Sequence, residues 1–332
     1  MVYEISEKDK KEFLIDLVDV YSPTGEEEDI ANLIKSKLRE YEIKAYLDEA
    51  GNVIARKENK GPKILLTGHM DTVKGRIPLR VEEDILWGRG SVDAKGSLAA
   101  LLYAFLESEG DLIFASLVEE EGSSKGAKML DIEDPDYIIV GEPSGWQGVT
   151  IGYKGNLNMK FEEKVKRFHS SRQKDGAAEK LIEKWMELSR DFQKGFYNPT
   201  GRIKRLEAYE KEYYFEGEMI VNIRKPPDYI PDLKGEIIES VPAYEISRKN
   251  PLVRSMVRSI RECGGEPKLK KKTGTADMNI LAPKFGAEAI AYGPGDSKLD
   301  HTPNEHLNLK EYFSSIQTLK LGLKKIKHYD EQ

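Results

Sequence analysis

Histidine and carboxylate side chains stand directly beside predicted strands and helices of this chain. His69 and Asp71 follow the apolar run 64–66, and Asp93 precedes a helical pattern that begins at residue 97. Strand ends and helix starts can hold metal ligands in fixed geometry. If the strand continues, Asp71 lies on the same face as His69, because side chains along a strand alternate between its faces, and it can accept the second N–H of the imidazole. This spacing is typical of a metal-binding histidine with an orienting carboxylate.

Further acids and a second histidine follow later elements. The apolar strand predicted at 112–118 runs into the three glutamates 119–121, and the strand predicted at 137–140 is followed by Glu142. His301 comes after a Gly-Pro-Gly loop near the C-terminus. Together the strand and loop ends offer the His, Asp and Glu ligands expected for two Zn²⁺ ions that share a bridging carboxylate.

The order of these motifs resembles the co-catalytic di-zinc amidohydrolase and metallopeptidase family that includes acetylornithine deacetylase, succinyl-diaminopimelate desuccinylase and glutamate carboxypeptidase. The resemblance covers nearly the whole chain. It implies two divalent metal ions per subunit, Zn²⁺ or Co²⁺, because both accept the same ligands. The implied ligands are His69 and Glu142 for one metal, Glu120 and His301 for the other, and Asp93 as the bridge.

The glutamate run 119–121 leaves two assignments open. In the resembled family the first Glu of a pair takes the proton of a metal-bound water and passes it to the leaving amine. The spacing to the following Gly-Ser favours Glu119 as this general base and Glu120 as the metal ligand. Glu120 and Glu121 form the alternative pair. Many relatives place an acid before the pair, where this chain has Val118.

The resemblance also implies oxyanion and substrate-binding groups. His169 would reach the partner subunit's active site and donate to the oxyanion of the transition state. Arg224 would bind an α-carboxylate through its guanidinium fork, and Asn222 would face the same site. Gly293 and Gly295 would offer backbone N–H groups to that carboxylate. The alternative for His169 is a surface or capping histidine. The alternative for the loop that contains Gly293 and Gly295 is a plain turn.

Three segments resemble one branch of the family, the hydrolases that release lysine or ornithine from the C-terminal glutamate of a small acidic amino-group carrier protein. These segments are 141–146, 152–155 and 272–279. Asp277 would pair with the side-chain ammonium of the released amino acid. A basic run would dock the acidic carrier, with a solvated strand or helix edge as the alternative. The run consists of Lys268, Lys270, Lys271 and Lys272.

Short apolar strands that alternate with helices predict an α/β catalytic domain with a mainly parallel mixed sheet flanked by helices, phosphorylase/hydrolase-like in the resembled family. The pattern of predicted strands and helices changes near residue 154, where a strand–helix–strand–strand block begins. We therefore predict a discontinuous di-zinc catalytic domain, 1–153 and 249–332, with a two-layer α+β lid inserted at 154–248. In the family such an insertion also forms a homodimer. Thr24 and Glu27 are spaced for a capping box on the second helix.

Composition excludes several classes of protein. The chain has 332 residues, 33% of them charged, and a net charge of -6, which gives no argument for nucleic-acid binding. We expect no transmembrane segment, because no apolar run of about 18 residues occurs. We also expect no signal peptide, since the first residues are polar. The single cysteine, Cys263, suits a reducing cytoplasm.

The sequence therefore predicts a cytoplasmic metal-dependent hydrolase of a linear amide bond, acting in lysine or arginine biosynthesis on the carrier-bound amino acid. The same chemistry on free acetylornithine or acetyl-lysine, or a carboxypeptidase activity, is the alternative. A non-catalytic relative would not need the full set of ligands. A serine hydrolase would need a Gly-x-Ser-x-Gly elbow, which the sequence lacks.

Overall fold

The computed structural model describes residues 3–169, 171–172, 174–232 and 234–329. The chain separates into two compact units. The first comprises Met1–Ile151, Ile246–Lys270 and Ala276–Gln332, and the second comprises Gly152–Glu245 and Lys271–Thr275. The predicted insertion, 154–248, overlaps most of the second unit, but the short segment Lys271–Thr275 belongs to that unit although it lies outside the insertion.

The helices are α1 Glu7–Asp19, α2 Glu28–Glu40, α3 Lys95–Leu106, α4 Lys125–Met129, α5 Ala177–Leu188, α6 Pro251–Glu262, α7 Met278–Phe285 and α8 Leu309–Tyr329. The strands are β1 Ala45–Leu47, β2 Val53–Lys57, β3 Lys63–His69, β4 Arg80–Glu82, β5 Ile85–Trp87, β6 Asp111–Leu117, β7 Tyr137–Val140, β8 Gly148–Tyr153, β9 Gly155–Lys166, β10 Thr200–Lys211, β11 Tyr214–Lys225, β12 Glu236–Val241, β13 Tyr244–Glu245, β14 Lys268–Lys272, β15 Glu288–Ala291 and β16 His306–Asn308. Within the described residues, no helix has the length and apolar character needed to cross a membrane.

A mixed sheet with a parallel centre organises the first unit. Its strands run in the order β1-β2-β6-β3-β7-β15-β8. The four central strands, β6, β3, β7 and β15, are parallel to one another, whereas β2 and β8 join antiparallel at the two sides. Helices α2, α3, α6 and α7 pack against these strands. All residues of α3 are buried, which agrees with its apolar sequence from Leu98 to Leu106. The predicted α/β fold with a mainly parallel sheet is confirmed.

Three strands of three residues each form a small separate sheet, in the order β16-β5-β4. This sheet ties the segment after His301 to the segment before Asp93, because His306 lies opposite Trp87 in the antiparallel register. Strands this short carry too little periodicity to be predicted from sequence. They nevertheless fix the two loops that carry candidate metal ligands.

The second unit is a four-stranded antiparallel sheet with one helix on one face. The strand order is β10-β11-β9-β12, and α5 contacts β9, β10 and β11. The buried core between helix and sheet contains Leu157, Met159, Phe161, Leu181, Leu188, Met219, Val221 and Ile223. The sequence predicted three of these strands and missed β12, in which only the last residue is less than exposed, so that no alternating pattern marks it.

Candidate active site

The candidate ligands converge because they follow neighbouring parallel strands. His69 is the last residue of β3, the three glutamates come directly after β6 and Val118, and Glu142 lies two residues beyond β7. Strands β6, β3 and β7 are adjacent in the sheet, so their carboxyl ends lie side by side. Open α/β sheets bind ligands at this edge. The fold thus brings together groups that are 21 to 73 residues apart in the sequence.

Asp71 orients the imidazole of His69. Nδ1 of His69 lies 3.0 Å from the backbone oxygen of Asp71 and 3.3 Å from its Oδ1. These acceptors hold the ring proton on Nδ1, which leaves Nε2 as a lone-pair donor suited to a metal. Burial alone would lower the pKa of His69, but its hydrogen bonds to Asp71 and Asp93 raise it well above the ordinary value.

The two carboxylate oxygens of Asp93 face two different histidines. Oδ1 lies 3.3 Å from Nε2 of His69, and Oδ2 lies 3.2 Å from Nε2 of His301. Burial would raise the pKa of Asp93, but hydrogen bonds from both histidines lower it. One oxygen toward each imidazole is the arrangement of a carboxylate that bridges two metal ions.

Glu121, rather than Glu119, completes the group around His301. Oε1 of Glu121 is 2.8 Å from Nε2 of His301. Ligand atoms of His69, Glu120 and Glu121 lie within 4.8 Å of one another, as do those of Asp93, Glu121 and His301. We call these five residues the metal-centre cluster. Imidazole and carboxylate groups are donor types that divalent cations bind, so the side chains present fit a metal centre.

The carboxylate of Glu119 turns away from this cluster. It accepts the hydroxyl hydrogen of Ser123 at 2.7 Å and lies 3.7 Å from Nζ of Lys125. The backbone of Glu119 is left-handed, with a φ of 57°. The structure therefore does not place Glu119 where the sequence analysis expected the general base. It favours the alternative register, in which Glu120 and Glu121 form the working pair.

Asp71 also holds the glutamate loop in place. Its two oxygens accept the backbone N–H groups of Glu120, at 3.0 Å, and Glu121, at 3.1 Å. The hydroxyl of Thr24 donates to the same carboxylate at 2.7 Å. One carboxylate thus connects His69 with the loop that carries both glutamates, which makes the cluster a single hydrogen-bonded unit.

The predicted capping box at Thr24 and Glu27 is wrong. Glu27 itself is the N-cap of α2, and no side chain caps that helix. Its carboxylate instead accepts the backbone N–H of Gly25, at 2.9 Å, and of Glu119, at 3.2 Å. Both residues of the predicted box are used to support the site loops, because the long-range contacts there replace the local cap.

Acidic groups crowd around Glu120. Burial raises the pKa of Glu120 well above its usual value, and the charges of Asp277, Glu142 and Glu121 add to this, while His69 opposes it. Glu142 is buried and lies close enough for its charge to be felt, although it is outside the two compact ligand groups. An excess of carboxylates over cations is the electrostatic setting that divalent metal ions neutralise.

Asp277 is placed deep in the first unit. It is 1% exposed, and neither carboxylate oxygen has a hydrogen-bond partner among the described residues. Burial raises its pKa to about 7. A buried carboxylate without partners is costly unless it is protonated or meets a cation. This setting is compatible with the predicted pairing with a substrate ammonium, which stays a prediction.

Glu305 is a site residue that the sequence analysis did not single out. It is wholly buried, and its Oε1 accepts the backbone N–H groups of Val92 and Asp93, each at 3.0 Å. Its Oε2 pairs with Nη1 of Arg89 at 2.8 Å. Glu305 therefore holds the loop that carries Asp93. The only signal in the sequence was its position four residues after His301.

The predicted oxyanion and substrate-binding residues of the second unit are not part of the metal-centre cluster. His169 is exposed, and its Nδ1 lies 2.8 Å from Oγ of Ser171. Arg224 donates to Oγ1 of Thr275 at 3.1 Å. Asn222 donates to two other asparagines. Their catalytic roles stay predictions.

The Gly-Pro-Gly loop is more than a plain turn, but not all of its N–H groups are available to a substrate carboxylate. The N–H of Gly295 donates to Oε2 of Glu311 at 3.1 Å, and the backbone there has a φ of +93°. The carbonyl of Gly293 accepts the N–H of Ser144 at 3.1 Å. A Cβ at Gly293 would lie 2.0 Å from Oγ of Ser97, so the loop needs glycine to approach α3. The structure thus uses Gly295 to fix the loop.

The basic run 268–272 is largely engaged within the protein. Lys270 donates to the carbonyl of Ser144 at 2.6 Å, and Lys271 pairs with Glu245 at 2.5 Å. The ammonium of Lys272 lies 5.6 Å from the ring centre of Tyr153. These contacts weaken the hypothesis that the run forms a docking surface, and favour the alternative of an ordinary strand.

Comparison with known proteins supports the same chemistry. A family model described as peptidase family M20/M25/M40 matches residues 65–325. A putative [LysW]-lysine/[LysW]-ornithine hydrolase of Pyrococcus abyssi is 61% identical over 98% of this chain and 97% of its own length. The [LysW]-lysine hydrolase of Deinococcus radiodurans is 35% identical over 95% of this chain and 96% of its own length.

Solved structures show the same fold at low sequence identity. A tripeptidase from Staphylococcus aureus superposes with a TM-score of 0.80 at 20% identity, covering 98% of this chain and 99% of its own. The aminopeptidase PepT from Bacillus cereus gives a TM-score of 0.78 at 17% identity, covering 97% of this chain and 99% of its own.

Proposed function

Because the chain belongs to peptidase family M20/M25/M40, we propose that it is a metal-dependent amidohydrolase that releases L-lysine or L-ornithine from the C-terminal glutamate of an amino-group carrier protein. Relatives that are 56–61% identical carry the name putative [LysW]-lysine/[LysW]-ornithine hydrolase. Each of them is matched over more than nine-tenths of its own length. The match across both units supports a shared substrate and not only shared chemistry.

One observation carries the chemical part of the proposal, namely that the two oxygens of Asp93 face His69 and His301 separately. We propose Asp93 as the bridge of a two-metal centre, with His69 and Glu142 on one side and His301 and Glu121 on the other. When bound, the two divalent ions would acidify the attacking water and polarise the scissile carbonyl. Zn²⁺ fits these donors, and Co²⁺ would satisfy the same set.

Glu120 is the general base in this proposal, in place of Glu119. Its carboxylate lies among the ligand atoms of His69 and Glu121, and its backbone is fixed by Asp71. In its ionised form this carboxylate can take a proton from water. It then returns that proton to the leaving amine. Glu119 instead anchors the loop through Ser123 and Lys125.

The remaining parts of the proposal concern partners and setting. We propose that the carrier protein is the macromolecular substrate, that the second unit forms a homodimer, and that the enzyme acts in the cytoplasm. The exposed position of His169 is compatible with donation to an oxyanion in the partner subunit's active site. Arg224, which among the described residues donates to Thr275, supplies a guanidinium for a substrate carboxylate.

Hydrolysis of a free acylated amino acid is the second candidate. The observation that favours it is the engagement of Lys270 and Lys271 within the protein, which removes much of the basic surface expected to dock an acidic carrier. Both candidates share the metal-centre cluster and the role of Glu120. They differ only in what lies beyond the scissile amide.

A side-by-side hydrolysis assay separates the two candidates. The zinc-reconstituted protein is given carrier protein with lysine or ornithine attached to its C-terminal glutamate and, in parallel, free N-acetylornithine. We expect chelator-sensitive release of the amino acid from the carrier and slow turnover of the free compound. A preference for N-acetylornithine would replace the carrier by a small molecule, and release that a chelator does not inhibit would contradict the metal-dependent chemistry.

A further inference from the structure

One face of the second unit's sheet is polar and lies opposite the core. Leu157, Met159, Val221 and Ile223 point toward α5, so the residues between them point to the other face. Arg224 lies directly across from Asn156, and both Asn222 and Glu239 lie across from Asn158. We call these residues the polar sheet face: Asn156, Asn158, Asn222, Arg224 and Glu239.

A directed chain of hydrogen bonds crosses this face. Nδ2 of Asn158 donates to Oε2 of Glu239 at 2.7 Å. Nδ2 of Asn222 donates to Oδ1 of Asn158 at 2.8 Å and to Oδ1 of Asn156 at 2.6 Å. Both N–H groups of the Asn222 amide are therefore used within the chain.

Glu239 sets the direction of the whole chain. An ionised carboxylate only accepts hydrogen bonds, so Asn158 must turn its amide nitrogen toward Glu239 and its oxygen toward Asn222. Asn222 must then donate to Asn158 and to Asn156. The oxygen–nitrogen orientation of three amides, normally ambiguous one by one, follows from a single acid.

The chain ends in a donor beside Arg224. Because Oδ1 of Asn156 is held by Asn222, its Nδ2 faces away from the chain, and no acceptor for it exists among the described residues. Arg224 is partly buried and donates to Thr275, and within the described part of the chain no carboxylate lies within ion-pair distance of it. Asn156 and Arg224 therefore offer two kinds of N–H donor at neighbouring positions.

The charge around this pair is positive. Burial lowers the pKa of Arg224, and the like charge of Arg202 lowers it further, while the charge of Glu239 opposes this. The carboxylate of Glu239 is already engaged by Asn158. A half-buried guanidinium beside a second cation is stabilised when an anion binds, and a planar carboxylate suits a guanidinium together with an amide N–H.

The family resemblance already implies that Arg224 binds the α-carboxylate of the released lysine or ornithine. We propose that Nδ2 of Asn156 is a second donor to this carboxylate, and that Glu239 is the positioning residue that keeps Asn156 turned as a donor. This inference rests on the proposed function for the identity of the ligand. It also changes the role expected for Asn222. Asn222 links Asn158 to Asn156 by hydrogen bonds and so orients Asn156, and it has no N–H left to donate to a substrate.

The test begins with Glu239→Gln, since glutamine can donate as well as accept and no longer fixes the amide chain. We expect KM for the carrier-linked lysine to rise by about tenfold, because one hydrogen bond to a charged group is lost in part of the population. We expect kcat and the melting temperature to stay as in the wild type. Glu236→Gln, on the same strand and outside the chain, is the matched control and should change nothing.

A second change restores the direction of the chain with its partners exchanged. The second variant combines Glu239→Gln with Asn158→Asp, which moves the carboxylate from position 239 to position 158. That carboxylate accepts N–H groups from the side chains at positions 239 and 222. Asn222 is therefore again oriented to donate to Asn156. We expect KM to return toward the wild-type value. A role in stability alone would not predict this rescue, because Glu239→Gln is expected to raise KM while the melting temperature stays unchanged.

Calorimetric binding of L-lysine and L-lysinamide to the full-length zinc-loaded protein tests the site without turnover. The wild type should favour L-lysine, Glu239→Gln should reduce that preference, and Asn156→Asp should reverse it. If the carrier is not hydrolysed but this pattern holds, the proposed function fails and the carboxylate site stands. If Glu239→Gln and Asn156→Asp both bind L-lysine as the wild type does, the site is refuted.

Discussion

In both the metal-centre cluster and the polar sheet face, a carboxylate orients a neighbouring side chain, but the two regions differ strongly in burial. In each, a carboxylate accepts an N–H and so fixes which atom of the neighbouring side chain faces outward: Asp71 does this for His69, and Glu239 for Asn158. The side chains of His69 and Asp71 are 1% and 0% exposed, whereas the asparagines at the end of the amide chain are only partly buried.

Depth determines what each carboxylate contributes. Electrostatic interactions strengthen as water is excluded, so an unpaired group in the metal-centre cluster is more costly than one on the polar sheet face. We therefore expect substitutions in the first region to abolish metal binding or turnover, and substitutions in the second to change affinity for one part of the substrate. The predictions below are arranged by the size of the effect.

The largest effect is expected for Asp93→Ala. This change removes both carboxylate oxygens that face His69 and His301, so the two proposed metal positions lose the ligand that they share. We expect the purified variant to lose bound metal and all measurable turnover, with the secondary structure intact by circular dichroism. Metal analysis of the protein checks this. Two ions per subunit in the variant would refute the bridging role.

Glu305→Gln should weaken metal binding without removing any ligand. The variant leaves Arg89 buried without its ion-pair partner. It also replaces the charged acceptor of the Val92 and Asp93 N–H groups with a neutral one. Loss of such an outer partner typically costs about 10–100-fold in metal affinity. Calorimetric titration of the metal-free protein with Zn²⁺ measures it. Glu82→Gln, an exposed change in β4, is the control, and equal affinities in all three proteins would contradict the role of Glu305.

The stability of the metal-free protein should depend on pH through His301. Hydrogen bonds to Asp93 and Glu121 raise the pKa of His301 to about 10, above its ordinary value of 6.5 in the absence of partners. The protonated form is therefore favoured by folding, and its contribution is complete below pH 6.5 and is lost as the pH rises toward 10. Zinc affinity should rise over the same interval, since the metal must displace the proton.

Urea unfolding of the metal-free wild type and of His301→Gln at pH 6 and pH 10 measures this contribution. The wild type should exceed the variant in unfolding free energy at pH 6 and lose that advantage at pH 10. Because the side chain of His301 is half exposed, solvent screening keeps the effect smaller than those of Asp93 and Glu305. An equal difference at both pH values would show that His301 is not held protonated by its neighbours.

The sequence was most informative where chemistry follows a strong apolar strand. The positions of His69 and Glu142 at the ends of parallel strands could be predicted, because buried strands are marked by continuous apolar runs and their ends by a change in composition. The fold class was predicted correctly on the same basis, and the family was predicted correctly from the resemblance in the order of the motifs.

The direction of individual side chains could not be predicted. Three consecutive glutamates look alike in a sequence, and the choice among them depends on the left-handed backbone of Glu119 and on the N–H groups that Asp71 accepts. The same holds for Glu305 and the asparagine chain, whose partners are far away along the chain. Thr24 and Glu27 show the converse, since their spacing predicted a local cap and tertiary contacts replaced it.

The most direct test of the account compares two neighbouring substitutions, Glu119→Gln and Glu120→Gln, in the zinc-loaded protein. We measure the metal content and kcat of each against the carrier-linked substrate. The account predicts that Glu120→Gln keeps two metal ions and loses about 10³-fold in kcat, the size of a general-base contribution, whereas Glu119→Gln stays near the wild type. The reverse pattern, with Glu119→Gln inactive and Glu120→Gln depleted of metal, would contradict the account and restore Glu119 as the base.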